Sequence, residues 1–121
     1  MSVDDDTLAI VEEYHRAWTG GDVDRALKLV ADDFVCHAPG ERLDGKEAWR
    51  AYLAGFAPGL TGVTEVSRLA DGAGHVVQLY YPHTAATRSA AAAEYLTVRD
   101  GLLVENVLVF DRLSYGPPPG E

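Results

Sequence analysis

The chain has 121 residues, 47% hydrophobic and 24% charged, with one cysteine; this is the make-up of a one-domain globular chain and excludes disordered, collagen-like and disulfide-framework classes. Nineteen acidic residues against ten basic ones leave a net charge of −9, and the Lys and Arg residues do not cluster, which argues against a nucleic-acid or anionic-membrane partner. No apolar run approaches the roughly 20 residues of a membrane span, and the acidic start MSVDDDT reads as neither a signal nor a transit peptide, so a reducing cytoplasm is the expected setting.

Residues 5–19 carry Leu8, Val11, Tyr14 and Trp18 at three- and four-residue spacing, which predicts a helix with one apolar face. Asp5, Asp6 or Thr7 is placed to cap it, and Gly20-Gly21 to end it. Asp22 then caps a second helix to about Ala31, with Val23, Ala26, Leu27 and Val30 inward. Residues 34–38 read as a short strand, broken by Pro39-Gly40 and returning over 41–44. Asp44 or Gly45 opens a third helix carrying Ala48, Trp49, Tyr52, Leu53 and Phe56, and Pro58-Gly59 ends it. Beyond residue 60, β-branched and aromatic residues predict strands at 63–69, 75–81, 91–98 and 102–113, with Asp71-Gly72 and Asp100-Gly101 as turns. Residues 116–121, GPPPGE, read as a flexible tail.

Helices followed by a meander of strands form an α+β pattern. The expectation is three N-terminal helices packed on a strongly curved, mostly antiparallel sheet. That is a cone-shaped α+β barrel enclosing a pocket, in a single domain over residues 1–121.

Four stretches, in this order, carry a family likeness: EYHRAWTGGDVDRALKLVADDF, VCHAPG, DGKEAWRAYLAGF and LTVRDGLLVENVLVFD. Together they make the chain resemble the ketosteroid isomerase and SnoaL-like polyketide cyclase branch of the nuclear transport factor 2 superfamily. The fold hosts isomerases, cyclases, hydrolases, dehydratases and binding modules, so the resemblance implies no single reaction. Ketosteroid isomerases use a tyrosine on the first helix and a protonated late-strand acid as an oxyanion hole. The resemblance places Tyr14 and Glu94 in those positions. The isomerase base, an aspartate before the proline of the first strand, corresponds to Ala38, with His37 beside it. The two supporting tyrosines correspond to Val30 and Leu53. The resemblance also turns the face of Asn106, Leu108 and Phe110 toward the cavity, with Asn106 bonding a substrate oxygen, and makes Asp111 a reserve base.

The residues themselves leave alternatives open. Glu94 shares strand parity with Ala92, Leu96 and Val98, an apolar set on which an ionised acid is costly, so it would serve as a general acid or a protonated donor. In the opposite phase Tyr95 and Thr97 face inward and Glu94 is solvated. His37 is the candidate base by its near-neutral titration. Simple alternation points it outward, and only a bulge before Pro39 would turn it inward. Asp111 has the parity of an outward, solvated charge. Trp18, Trp49, Tyr52, Phe56 and Tyr80, with Leu108 and Phe110, supply an apolar lining. His15, His37, His75 and His83 are scattered, with no metal-ligand spacing. Cys36 reads as a buried, inert thiol.

The expected function is a small enzyme that needs no cofactor or metal and acts on an apolar, ring-bearing carbonyl compound. Tyr14 and neutral Glu94 would hold the enolate oxygen while His37 moves the proton. A non-catalytic binding or dimerisation module is the rival. Epoxide hydrolysis ranks third, since it would need an arginine between two acids, and Arg88, Arg99 and Arg112 fall at strand ends or turns. The expected partners are a small apolar molecule and a second copy, joined through the outer sheet face.

Overall fold

The computed structural model describes residues 3–115; the tail expected at 116–121 lies outside the described residues. Helix α1 spans Val3–Thr19 and packs Val11, Tyr14, His15, Ala17 and Trp18 inward. It begins earlier than expected, so Asp5, Asp6 and Thr7 sit within it. A turn at Gly20-Gly21, with Gly21 at φ +92°, leads to α2, Val23–Leu27. The Asp22 carboxylate caps α2 by accepting from the Arg25 amide at 3.1 Å.

The second helix is shorter than its periodicity suggested. The Leu29 carbonyl accepts the Leu103 amide of the last strand at 2.8 Å. That capture by the sheet stops the helix, and strand β1 runs Val30–Ala38, not 34–38. Strand β2, Glu41–Asp44, returns beside it. Gly45, at φ +94°, caps α3, Lys46–Phe56. Its amide donates to the Phe34 carbonyl at 2.7 Å, tying the start of α3 to β1; a side chain at that positive φ would be strained.

Strands β3 (Gly62–Ala70), β4 (His75–His83), β5 (Ala92–Arg99) and β6 (Leu102–Val109) follow as an antiparallel meander. Asp100 (φ 54°) and Gly101 (φ 80°) make the β5–β6 turn with both residues left-handed, the geometry that matches strand twist. The sheet order is β2-β1-β6-β5-β4-β3, and β1 pairs parallel with β6. The sheet curves around the helices and does not close, leaving β2 and β3 as its edges. The last strand stops at Val109 and not at 113. Asp111 accepts from the Leu113 amide at 3.1 Å and the Ser114 hydroxyl at 2.8 Å, which folds Arg112–Tyr115 into a 3-10 turn.

Candidate active site

Strand β5 lies in the middle of the sheet between β4 and β6, and its alternation sends Ala92, Glu94 and Leu96 inward. Tyr95, of opposite parity, is 41% exposed on the outer face. The register sets Glu94 between Gln78 of β4 and Leu108 of β6. Diagonal neighbours on a sheet lie within reach of long side chains, and these neighbours are polar. The Tyr80 hydroxyl donates to Glu94 Oε1 at 2.5 Å, and Asn106 Nδ2 donates to Oε2 at 2.8 Å. Gln78 Nε2 adds a longer bond to Oε1 at 3.3 Å. Glu94 is therefore not a lone acid on an apolar face, because three donors converge on a carboxyl that is 2% exposed. These bonds fix the position and orientation of the Glu94 carboxyl. Burial, then the nearby Glu94, hold the Tyr80 hydroxyl well above the usual tyrosine range, so Tyr80 stays a donor.

A second layer fixes the first. Arg68 Nε donates to Gln78 Oε1 at 2.9 Å. Since Arg only donates, the Gln78 amide nitrogen must face Glu94 and His15. It lies 3.3 Å from His15 Nδ1, which therefore accepts, leaving His15 Nε2–H to donate to Glu65 at 2.9 Å. Burial pulls His15 below the usual histidine range and outweighs the opposing pull of Glu94 and Glu65. A register shift between Glu65 and Ser67 makes this layer possible. The extra residue, Val66, is a bulge, so Glu65 and Arg68 fall on one face three residues apart.

Glu94 opens onto a cavity of about 40 Å³ between the sheet and the helices. Trp18, Trp49, Tyr52 and Phe56 form its helical wall, and Tyr80, Leu108 and Phe110 its sheet wall. Leu53, Pro82 and Tyr115 also line it. Tyr115 covers one end, packing edge-on to Phe56 and Phe110, with its hydroxyl donating to the Ala90 carbonyl at 2.6 Å.

Of the other candidates, Asn106 is fully buried behind Glu94 and is not part of the wall. Tyr14 is also fully buried outside the lining, and its oxygen accepts from Trp49 Nε1 at 2.7 Å. Burial, then Glu94, keep that hydroxyl protonated well past the usual range. His37 lies on the outer side, 41% exposed, and bonds Glu105 at 2.9 Å. Asp111 is exposed and spent on its turn. Arg88, Arg99 and Arg112 are exposed, away from the lining. Cys36 is fully buried, with burial and then Glu94 pushing its thiol up to about 12, which keeps it unreactive.

The arrangement can hold a carboxylate ready to exchange a proton inside an aromatic-walled space. Gln78, His15, Glu65, Arg68 and Tyr115 are the site residues that sequence reasoning did not single out. Gln78 was detectable in principle, since it shares the inward parity of Val76 and Tyr80 on β4. The others depend on a bulge, a cross-element contact and a turn.

Residues 11–106 match the family model for a SnoaL-like domain. Among solved structures, a protein from Kribbella flavida DSM 17836 is 41% identical, with a TM-score of 0.84 over 89% of this chain and 88% of that one. A candidate ketosteroid isomerase from the same organism is 24% identical, with a TM-score of 0.81 over 99% and 87% of the two chains. A candidate SnoaL-like polyketide cyclase from Jannaschia sp. CCS1 is 17% identical, with a TM-score of 0.79 over 98% and 97%. At the last two identities the likeness shows the fold. No curated protein matches the chain. Among the described residues, no helix is long and apolar enough to cross a membrane.

Proposed function

The chain belongs to the SnoaL-like domain family, and from that premise we propose that it is a small cofactor-independent enzyme moving a proton beside the carbonyl of an apolar cyclic compound. The observation that carries this reading is the Glu94 carboxyl, set in the wall of an aromatic cavity and held by Tyr80 and Asn106. Glu94 takes a proton from the carbon next to the carbonyl. The C–H pair becomes a carbon–carbon double bond, and the carbonyl π pair moves to oxygen, giving an enolate. Return of the proton to another carbon isomerises the compound. Attack of the enolate on a second carbonyl cyclises it. Loss of a β-hydroxyl, which takes the Glu94 proton and leaves as water, dehydrates it.

The proton is assigned to Glu94 because His37 is engaged by Glu105 on the outer side. Tyr14 supports the wall through Trp49. The cavity, at about 40 Å³, is smaller than the roughly 300–1,000 Å³ of drug-sized sites. A ring-bearing ligand therefore enters as Phe56 and Tyr115 part. We place the enzyme in a reducing cytoplasm and as a homodimer. Leu69, Val77, Tyr95, Val107 and Val109 are 38–67% exposed across β3 to β6 on the outer face, an apolar surface that a second copy would cover.

The test is exchange of α-hydrogens of cyclic ketones for deuterium in D2O, followed by NMR. The wild type is expected to accelerate it and Glu94→Gln to lose roughly 10²–10⁴-fold, the usual contribution of a general base. Ketone binding without exchange would favour the rival, a binding module, which Ala38 at the isomerase-base position supports.

A further inference from the structure

Trp18 and Trp49 both stand in the helical wall of the cavity, yet their indole N–H groups differ. Trp49 Nε1 donates to Tyr14 at 2.7 Å. Trp18 is 4% exposed, and its Nε1 is buried with no partner among the described residues. An unmade buried hydrogen bond is costly, and orphaned donors of this kind call for an explanation. The polar groups around Trp18 are bonded to one another, and none accepts from it. Glu94 accepts from Tyr80, Asn106 and Gln78. His15 Nδ1, whose ring lies edge-on to Trp18 at 5.6 Å, faces the Gln78 amide. The Tyr80 ring, 6.4 Å from Trp18, gives its own proton to Glu94.

We propose that Trp18 Nε1 is the ligand's polar anchor, donating to a neutral acceptor oxygen, such as a ketone or ether, carried on an apolar ring held against Phe56 and Tyr80. Most of the wall is aromatic or aliphatic, and among the described residues this is its buried donor without a partner, so it bears on which compounds are retained and how they are turned. It selects oxygenated rings over hydrocarbons of the same shape. The Glu94 carboxylate in the same wall disfavours anionic ligands. A ketone oxygen on Trp18 fixes the side of the cavity to which the carbonyl points, and the same N–H receives the charge that grows on that oxygen during enolisation. The last point rests on the reading of Glu94 as the base; the anchoring itself does not.

The experiment uses the full chain labelled with 15N. It has two tryptophans, hence two indole N–H signals, assigned with Trp18→Phe. Cyclohexanone and methylenecyclohexane, which share a shape but differ in having an acceptor, are titrated separately. Cyclohexanone is expected to shift the Trp18 indole proton downfield and to bind about five- to tenfold more tightly, the scale of one net hydrogen bond. Trp18→Phe should erase that preference. Equal affinity for the two compounds, or a Trp18 proton unmoved at the solubility limit of cyclohexanone, overturns the proposal. The wild-type shift reads this even if Trp18→Phe does not fold. Preference without deuterium exchange would leave the anchor standing and remove only the base.

Discussion

Tyr80→Phe probes the bond that best defines the site. The ring stays, 2% exposed, and only the hydroxyl 2.5 Å from Glu94 Oε1 is lost. That oxygen then keeps only the 3.3 Å contact to Gln78. A hydrogen bond to a charged group contributes about 1.5–3 kcal/mol, and little solvent can replace it here, so a loss of about 2–3 kcal/mol is expected. In a Glu94→Gln background the same hydroxyl would donate to a neutral amide oxygen, a bond worth about 1 kcal/mol. The double-mutant cycle should therefore show a coupling of about 1–2 kcal/mol. The assay is urea unfolding at pH 7, at one protein concentration because a dimer's stability depends on it. An identical cost in both backgrounds would refute the claim that Tyr80 holds a charged carboxylate.

His15 binds its proton more weakly in the folded chain than in the unfolded one, since its burial outweighs Glu94 and Glu65, with Arg68 also opposing charge. Its stabilising contribution is complete above about pH 6.5, the unfolded value, and is lost as pH falls from there through the lower folded value, by up to about 1.4 kcal/mol per pH unit; urea midpoints at pH 7 and 5.5 should therefore drop more for wild type than for His15→Gln, and equal drops would contradict this. Tyr14→Phe strands the Trp49 N–H and should lower stability by about 1–3 kcal/mol with ketone affinity unchanged. Undiminished stability with weaker binding would instead put the Tyr14 hydroxyl on the ligand. Light scattering should give twice the mass of one chain, and Tyr95→Lys with Val77→Lys should halve it; a single-chain mass for the wild type at micromolar concentration would remove the dimer.

The helices α1 and α3 and the β3–β6 meander were legible because periodicity and glycine turns are local signals. The end of α2 was not, because a carbonyl on Leu29 is taken by a strand over 70 residues later. The inward face of β5 followed from parity, but its polarity did not. Gln78 and Asn106 lie beside Glu94 only through the registers of β4 and β6. The bulge at Val66, which brings Glu65 and Arg68 to His15, breaks the alternation on which strand reading depends. His37 kept the outward parity of its strand, and the bulge needed to turn it inward did not form; Asp111 falls past the end of β6, in a turn that strand alternation does not describe.

The most direct check on the account is a crystal structure of the chain with a cyclic ketone bound. It predicts the ring in the aromatic cavity, with the carbon next to the carbonyl about 3–3.5 Å from a Glu94 carboxylate oxygen, the near-attack distance for proton transfer. A ketone bound elsewhere, or with its α-carbon turned away from Glu94, would contradict it.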